Sequence, residues 1–178
     1  IVFGTDSHTT TYGCVGALSS GIGYTEMASI LGTGTMWIKV PETIKIVIEG
    51  ELPENVMSKD IILRLIGDLG ADGATYRALE FTGSAVKNMS VASRMTMSNM
   101  AIEAGAKNGI FAVDDQTLAY VAEHSDRKPV VYTADEDAVY EKKYVIDLSE
   151  IKSTVAFPHL PGNTRTIDEV GDAVSYTH

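Results

Sequence analysis

The chain has 178 residues, 44% of them apolar, with 14 Lys and Arg against 24 Asp and Glu for a formal net charge of −10. That is enough for one ordinary domain or pieces of two around a sizeable core, and a mean hydropathy of +0.04 excludes a disordered chain. So acidic a chain repels polyanions and gains nothing from counterion release, which excludes nucleic acid and anionic membrane as expected partners.

The first polar cluster is Thr5-Asp6-Ser7-His8-Thr9-Thr10-Thr11. If it is extended, Asp6 and His8 share one face; a turn would gather Asp6, Ser7 and His8 around one point. It reads either as a capped turn or as an acid/base site, since an unperturbed His titrates near neutrality. From Gly13 to Gly34 small residues dominate and charges are few, a composition expected to be buried and closely packed. Gly16 and Gly21 have the spacing that opens a phosphate-binding loop, but Ile22 and Gly23 stand where Lys and Ser/Thr are needed, so packing is the better reading.

Val40-Pro41 marks an expected domain boundary, after which Ile44, Ile46 and Ile48 alternate as a strand ending at Gly50. A helix follows, with Ser58 as its expected cap, Asp60 in its first turn, Ile61, Ile62, Leu65, Ile66 and Leu69 on one face, and Gly70 as its stop. The remaining expectations are a strand over Ala78–Thr82, a helix over Ser90–Ala106, a strand over Ile110–Val113, and a helix over Asp115–Glu123 capped by Asp114. Tyr144, Ile146 and Leu148 then alternate after an acidic stretch. Strands alternating with helices read as a layered α/β domain. The last twenty or so residues, with Pro158, Pro161 and Gly162, read as a connector.

Asn99 and Glu103 stand four apart on the expected helix, on one face. They are either a solvated face or a carboxylate and amide that orient an imidazole. Arg94 and Lys107 read as surface charges, His124 as an exposed loop residue, and His159 as unmarked by any nearby acid. The lone cysteine, Cys14, can neither pair within the chain nor by itself hold a Cys-ligated zinc or iron–sulfur site, which suits a reducing compartment and hence a cytoplasmic setting. No apolar run approaches the roughly 20 residues of a spanning helix, and the sequence as given shows no basic-then-apolar leader, so a soluble, unsecreted chain is expected. On residues alone the chain is a soluble α/β protein with a possible acid/base site.

Several segments in order resemble one family. They are Gly4-Thr-Asp-Ser-His-Thr-Thr-Thr-Tyr-Gly13, Gly21-Ile-Gly23, Lys39-Val-Pro41, Lys59-Asp-Ile-Ile-Leu63, Glu80-Phe-Thr-Gly83 and Arg94-Met-Thr-Met-Ser-Asn-Met-Ala-Ile-Glu-Ala-Gly-Ala106. Together they resemble the aconitase superfamily, and within it the large subunits of the 3-isopropylmalate dehydratase, homoaconitase and 2,3-dimethylmalate dehydratase group. The resemblance runs from about Ile1 to Gly171. It implies an aconitase-like layered α/β/α domain over 41–151, the end of a preceding α/β domain over 1–40, and over 152–178 a connector into a third.

It also implies chemistry. Family members remove and re-add water on hydroxy di- or tricarboxylic acids with a [4Fe–4S] cluster whose open iron binds substrate. They do so beside a small subunit that carries much of the selectivity. By the resemblance, Asp6 and His8 belong to the acid/base network about the leaving hydroxyl and Ser7 contacts a substrate carboxylate. Glu103 pairs with His8 and orients its ring, and Asn99 lines the cluster side of the site. The family's cluster cysteines, in a Ser-Cys-Thr-Asn-type segment and a later Cys-x-x-Cys, have no counterpart here, and Cys14 matches none of them. The chain is therefore expected to be an internal piece that binds no cluster and turns over nothing alone. Ser98 stands where the family usually has Cys, a change expected in packing rather than chemistry. The rival reading is a cluster-free binding or regulatory module; His8 and Glu103 out of reach, or a surface Asp6, would favour it.

Overall fold

The computed structural model describes residues 1–170; the end of the expected connector, residues 171–178, lies outside them. Its centre is a four-stranded sheet of β3 (Glu42–Glu49), β4 (Arg77–Thr82), β5 (Asn108–Phe111) and β6 (Lys142–Asp147). The spatial order is β5-β4-β3-β6 and every pair is parallel. This is the α/β architecture of alternating strands and helices.

Register aligns the branched side chains. Ile44 lies opposite Leu79, Ile46 opposite Phe81 and, on the other side, Ile48 opposite Ile146. They pack with Ile61, Ile62, Leu65 and Ile66 of α2 (Ser58–Leu69) into one core, in which the Phe81 and Phe111 rings stack at 4.8 Å. The α2 stripe is the one its sequence spacing predicts, but the cap differs. The N-cap is Met57, with Ser58 the first helical residue; the Met57 N–H donates to Asp60 Oδ2 at 2.8 Å, so the first-turn acid reaches back to the cap residue and no side-chain hydroxyl caps the helix. Asp60 is buried because its other oxygen accepts from the Thr154 N–H at 2.7 Å, which ties α2 to the β7–β8 hairpin (Thr154–Ala156 and Thr164–Thr166).

The expected strands lie within a few residues of those observed. The helix expected over Ser90–Ala106 does not run through: α3 spans Val91–Met100, capped by Ser90, and Ala101–Ala104 is a tighter 3-10 helix ending at Gly105. An apolar pattern cannot tell these two windings apart over a single turn. The helix α4 (Asp115–His124) is capped by Asp114 as expected.

Ahead of the sheet, β1 (Val2–Gly4) pairs in parallel with β2 (Ser19–Gly21), and between them runs a 3-10 helix over Ser7–Val15. The small-residue stretch from Gly13 to Gly34, expected to be buried, is only partly so. Gly13, Cys14, Ser19 and Ser20 are buried, but no residue of α1 (Tyr24–Thr33) is. A Cβ at Gly32 or Gly34 would meet nothing within 4 Å. Gly34 is there to end α1 in the left-handed region, φ 72°, rather than to admit a neighbour.

Candidate active site

A run of three threonines shapes the site. In the Ser7–Val15 3-10 helix, Asp6 is the N-cap and its Oδ1 accepts from the His8 N–H at 2.7 Å. Thr9 Oγ1 donates to the Asp6 carbonyl at 2.7 Å and Thr11 Oγ1 to the His8 carbonyl at 2.6 Å, so the carbonyls of a short helix are satisfied by its own hydroxyls. The cluster is thus a capped turn, and the turn gathers Asp6, Ser7 and His8 around one ring: Ser7 Oγ is 3.1 Å and Asp6 Oδ1 3.7 Å from His8 Nδ1.

Close approach of backbones then brings this turn to α3. A Cβ on Gly13 would run into the Gly109 carbonyl at the start of β5, so only glycine lets the 3-10 helix lie there. Buried Asn108 fastens the contact: its Nδ2 donates to the Ala17 carbonyl at 3.2 Å, and its Oδ1 accepts from Ser19 Oγ at 3.2 Å. His8 consequently reaches the turn that follows α3, and its Nε2 lies 3.3 Å from Glu103 Oε1, across 95 residues of sequence. With Glu103 as acceptor, Nε2 carries the proton and Nδ1 faces Ser7. The pair is half open to solvent, His8 at 40% and Glu103 at 32% side-chain exposure, so a small solute has access to it.

Asn99 is not beside the His8 ring. Its Nδ2 donates to Thr11 Oγ1 at 3.0 Å and its carbonyl accepts from Thr10 Oγ1 at 3.3 Å. Asp6 is 78% exposed, with only its inner oxygen engaged. The structure therefore brings His8, Glu103, Ser7 and Asp6 together and sets Asn99 one step behind them.

Arg94 is the clear correction: expected on the surface, it is fully buried. Its guanidinium spans both Asp114 oxygens at 2.6 and 2.9 Å, Thr117 Oγ1 at 3.1 Å and the Val86 carbonyl at 3.1 Å, while Nε donates to the Met89 carbonyl at 3.2 Å. A buried cation needs such a full set of acceptors. That guanidinium holds the Asp114 carboxyl well below the usual carboxylate range. Lys107 is half-buried, its ammonium 5.2 Å above the Tyr76 ring. His124 ends α4, exposed and stacked on Tyr120, and His159 is exposed.

The residues present do not fit an iron–sulfur cluster. A cluster is held by several cysteine thiolates, and the sequence has one cysteine, Cys14, which is buried. Among the described residues no group of three or more His, Cys, Asp or Glu is placed to hold a metal ion.

Sequence reasoning missed Thr10, Thr11, Ser19 and Asn108 as the parts that assemble the site. Three consecutive threonines behind Asp-Ser-His were the available signal, since hydroxyls in a short helix must bond somewhere.

Comparison with known proteins places these features in a family. The profile described as Aconitase family (aconitate hydratase) matches residues 1–177. The 3-isopropylmalate dehydratase large subunit of Acetivibrio thermocellus is 59% identical over 172 residues, covering 97% of this chain and 41% of that protein. The 2,3-dimethylmalate dehydratase large subunit of Eubacterium barkeri is 55% identical over 175 residues, covering 98% and 42%. A third relative, the 3-isopropylmalate dehydratase large subunit of Caldicellulosiruptor saccharolyticus, is 53% identical over 174 residues, covering 98% and 41%. The chain spans about two fifths of the length of the curated relatives it matches.

Proposed function

The chain belongs to the aconitase family, and on that premise we propose that it is part of the large subunit of a hydro-lyase that removes and re-adds water on a hydroxy di- or tricarboxylic acid such as 3-isopropylmalate. The observation that carries this is the His8–Glu103 contact, because it gives two ionisable groups remote in sequence a shared task. In this reading the subunit works with a small subunit in the cytoplasm, and a [4Fe–4S] cluster is held by residues other than these 178. The chain alone turns over nothing.

The roles follow from the geometry. Glu103 accepts from Nε2 and fixes the ring's plane and tautomer. Once substrate displaces the Ser7 hydroxyl towards the substrate's carboxylate, Nδ1, 3.1 Å from Ser7 Oγ and 3.7 Å from Asp6 Oδ1, takes a proton from the water that adds in hydration, leaving an imidazolium paired with Glu103. In dehydration that imidazolium returns the proton from Nδ1 to the leaving hydroxyl, which departs as water. Asp6, already taking the His8 N–H, keeps its outer oxygen for the same network. Asn99 lies behind this group and supports it. The same reading divides the chain at about Pro41 and Ile151, so the His8–Glu103 pair bridges the first division.

The test is turnover by the full-length large subunit with its small subunit, followed by the absorbance of the unsaturated acid. His8→Gln is expected to lower kcat by on the order of 10²- to 10⁴-fold. An unaffected rate would overturn the assignment. The exposed Asp6 is what a cluster-free binding module would show, and that reading gains first place if the assembled protein binds hydroxy acids without turning them over.

A further inference from the structure

In a 3-10 helix, residues three apart eclipse one another, so His8 and Thr11 lie along one edge of the Ser7–Val15 helix. Facing that edge are Asn99, in the last turn of α3, and Glu103, in the 3-10 turn after it. The tighter winding from Ala101 turns Glu103 further round than four residues of α-helix would. Each residue of one pair thus meets its own partner in the other. Glu103 takes the His8 ring at 3.3 Å, and Asn99 reaches Thr11 at 3.0 Å.

The Thr11 hydroxyl is shared between the two segments. It accepts from Asn99 Nδ2 and gives its own proton to the His8 carbonyl at 2.6 Å. The contacts close a ring: His8 carbonyl, Thr11 hydroxyl, Asn99 amide, the backbone to Glu103, and back to His8 Nε2. Thr9 makes the same local bond, to Asp6 three residues before it, and Thr10 donates to the Asn99 carbonyl. Thr11 alone of the three both accepts from an α3 side chain and bonds the histidine's own backbone.

We propose that Thr11 is a positioning residue for His8, its hydroxyl coupling the Asn99 amide to the His8 carbonyl so that the His8 ring keeps its place and tautomer against Glu103. The proposal rests on the hydro-lyase reading for its kinetic consequence, but its structural content stands apart from that reading. It assigns Asn99 a supporting task through Thr11 in place of direct contact with the ring. Without the hydroxyl, the amide proton and the His8 carbonyl each lose a partner, and the backbone that carries the ring is held less firmly against Glu103.

Two measurements test it. In the ¹⁵N-histidine-labelled chain, with the His8 signals identified by their loss in His8→Gln, long-range nitrogen–proton spectra read the tautomer of the ring. Thr11→Val, which keeps the shape and drops the hydroxyl, is expected to change the Nε2–H form into an average of both tautomers, and Thr11→Ser to retain it. In the assembled enzyme Thr11→Val is expected to lower kcat on the order of 10- to 100-fold with KM nearly unchanged, the scale of a small misplacement of a reacting group, and Thr11→Ser to recover most of it. Should Thr11→Val fail to fold, Thr11→Ala compared with Thr11→Ser reads the hydroxyl in its place. A hydroxyl-free variant with the wild-type tautomer and wild-type kcat overturns the proposal. If the wild type has no turnover, the hydro-lyase reading fails, and the tautomer measurement still decides the role of Thr11.

Discussion

Ser98 is fully buried in α3, and its hydroxyl has no hydrogen-bond partner among the described residues. An unbonded buried hydroxyl costs about 1–3 kcal/mol, so Ser98→Ala, which removes it at little cost in volume, is expected to stabilise the chain by roughly 1 kcal/mol. Urea unfolding with an unchanged m value is the check; a lowered midpoint would mean that solvent reaches the hydroxyl. Cys14 gives the second expectation at this scale. Only 2% exposed, with its thiol pushed up to about 11 by burial, it should react with iodoacetamide at pH 8 no faster than the chain unfolds. Asp-Ser-His was legible because its residue types are reactive, and Arg94 was not, because arginine is rarely buried and its partner Asp114 lies 20 residues on.

The legible elements are those with a period. The strand β3 alternates and α2 carries a stripe, and both stand where the residue spacing puts them. The 3-10 helix Ser7–Val15 has no such period; its hydroxyls and its packing on Gly109 hold it, and those contacts cannot be read from nine residues. The Asp60 link is equally non-local, since one carboxylate closes the start of α2 and receives the first N–H of β7. Asp60→Ala should cost about 2 kcal/mol, the scale of losing hydrogen bonds to a buried charged group. It should also release the β7–β8 hairpin, seen as proteolytic cutting within 152–166 before global unfolding. Equal resistance to cutting would show that the hairpin is held elsewhere.

For the whole molecule, acid stability turns on the Arg94–Asp114 pair. The folded carboxyl titrates below its unfolded value, so the pair's contribution is present in full above about pH 4 and is lost as pH falls below it. Asp114→Asn is expected to flatten the stability profile in that range and to lower stability at neutral pH, where buried Arg94 would lack a counter-charge. Chemical unfolding at a series of pH values gives the profile, and a variant curve parallel to the wild type would refute the assignment. Alternation of strands and helices made the sheet's existence legible. The return of β6 to the far side of β3 was not, because no residue of β6 names its neighbour.

That return has a consequence in time. The pairs β3–β4 and β4–β5 each join strands consecutive in sequence through one crossover, so they can form while the rest of the chain is still loose. The pair β3–β6 must wait until α3, β5, α4 and the segment after it have been gathered in, and the entropy of so long a closure is met before any contact repays it. Folding should therefore run outward from β4 to a late docking of β6. Native-state exchange should retrace that path, the amides of β6 opening at a lower free energy than those of β4, so that the sheet unzips from the strand it acquired last.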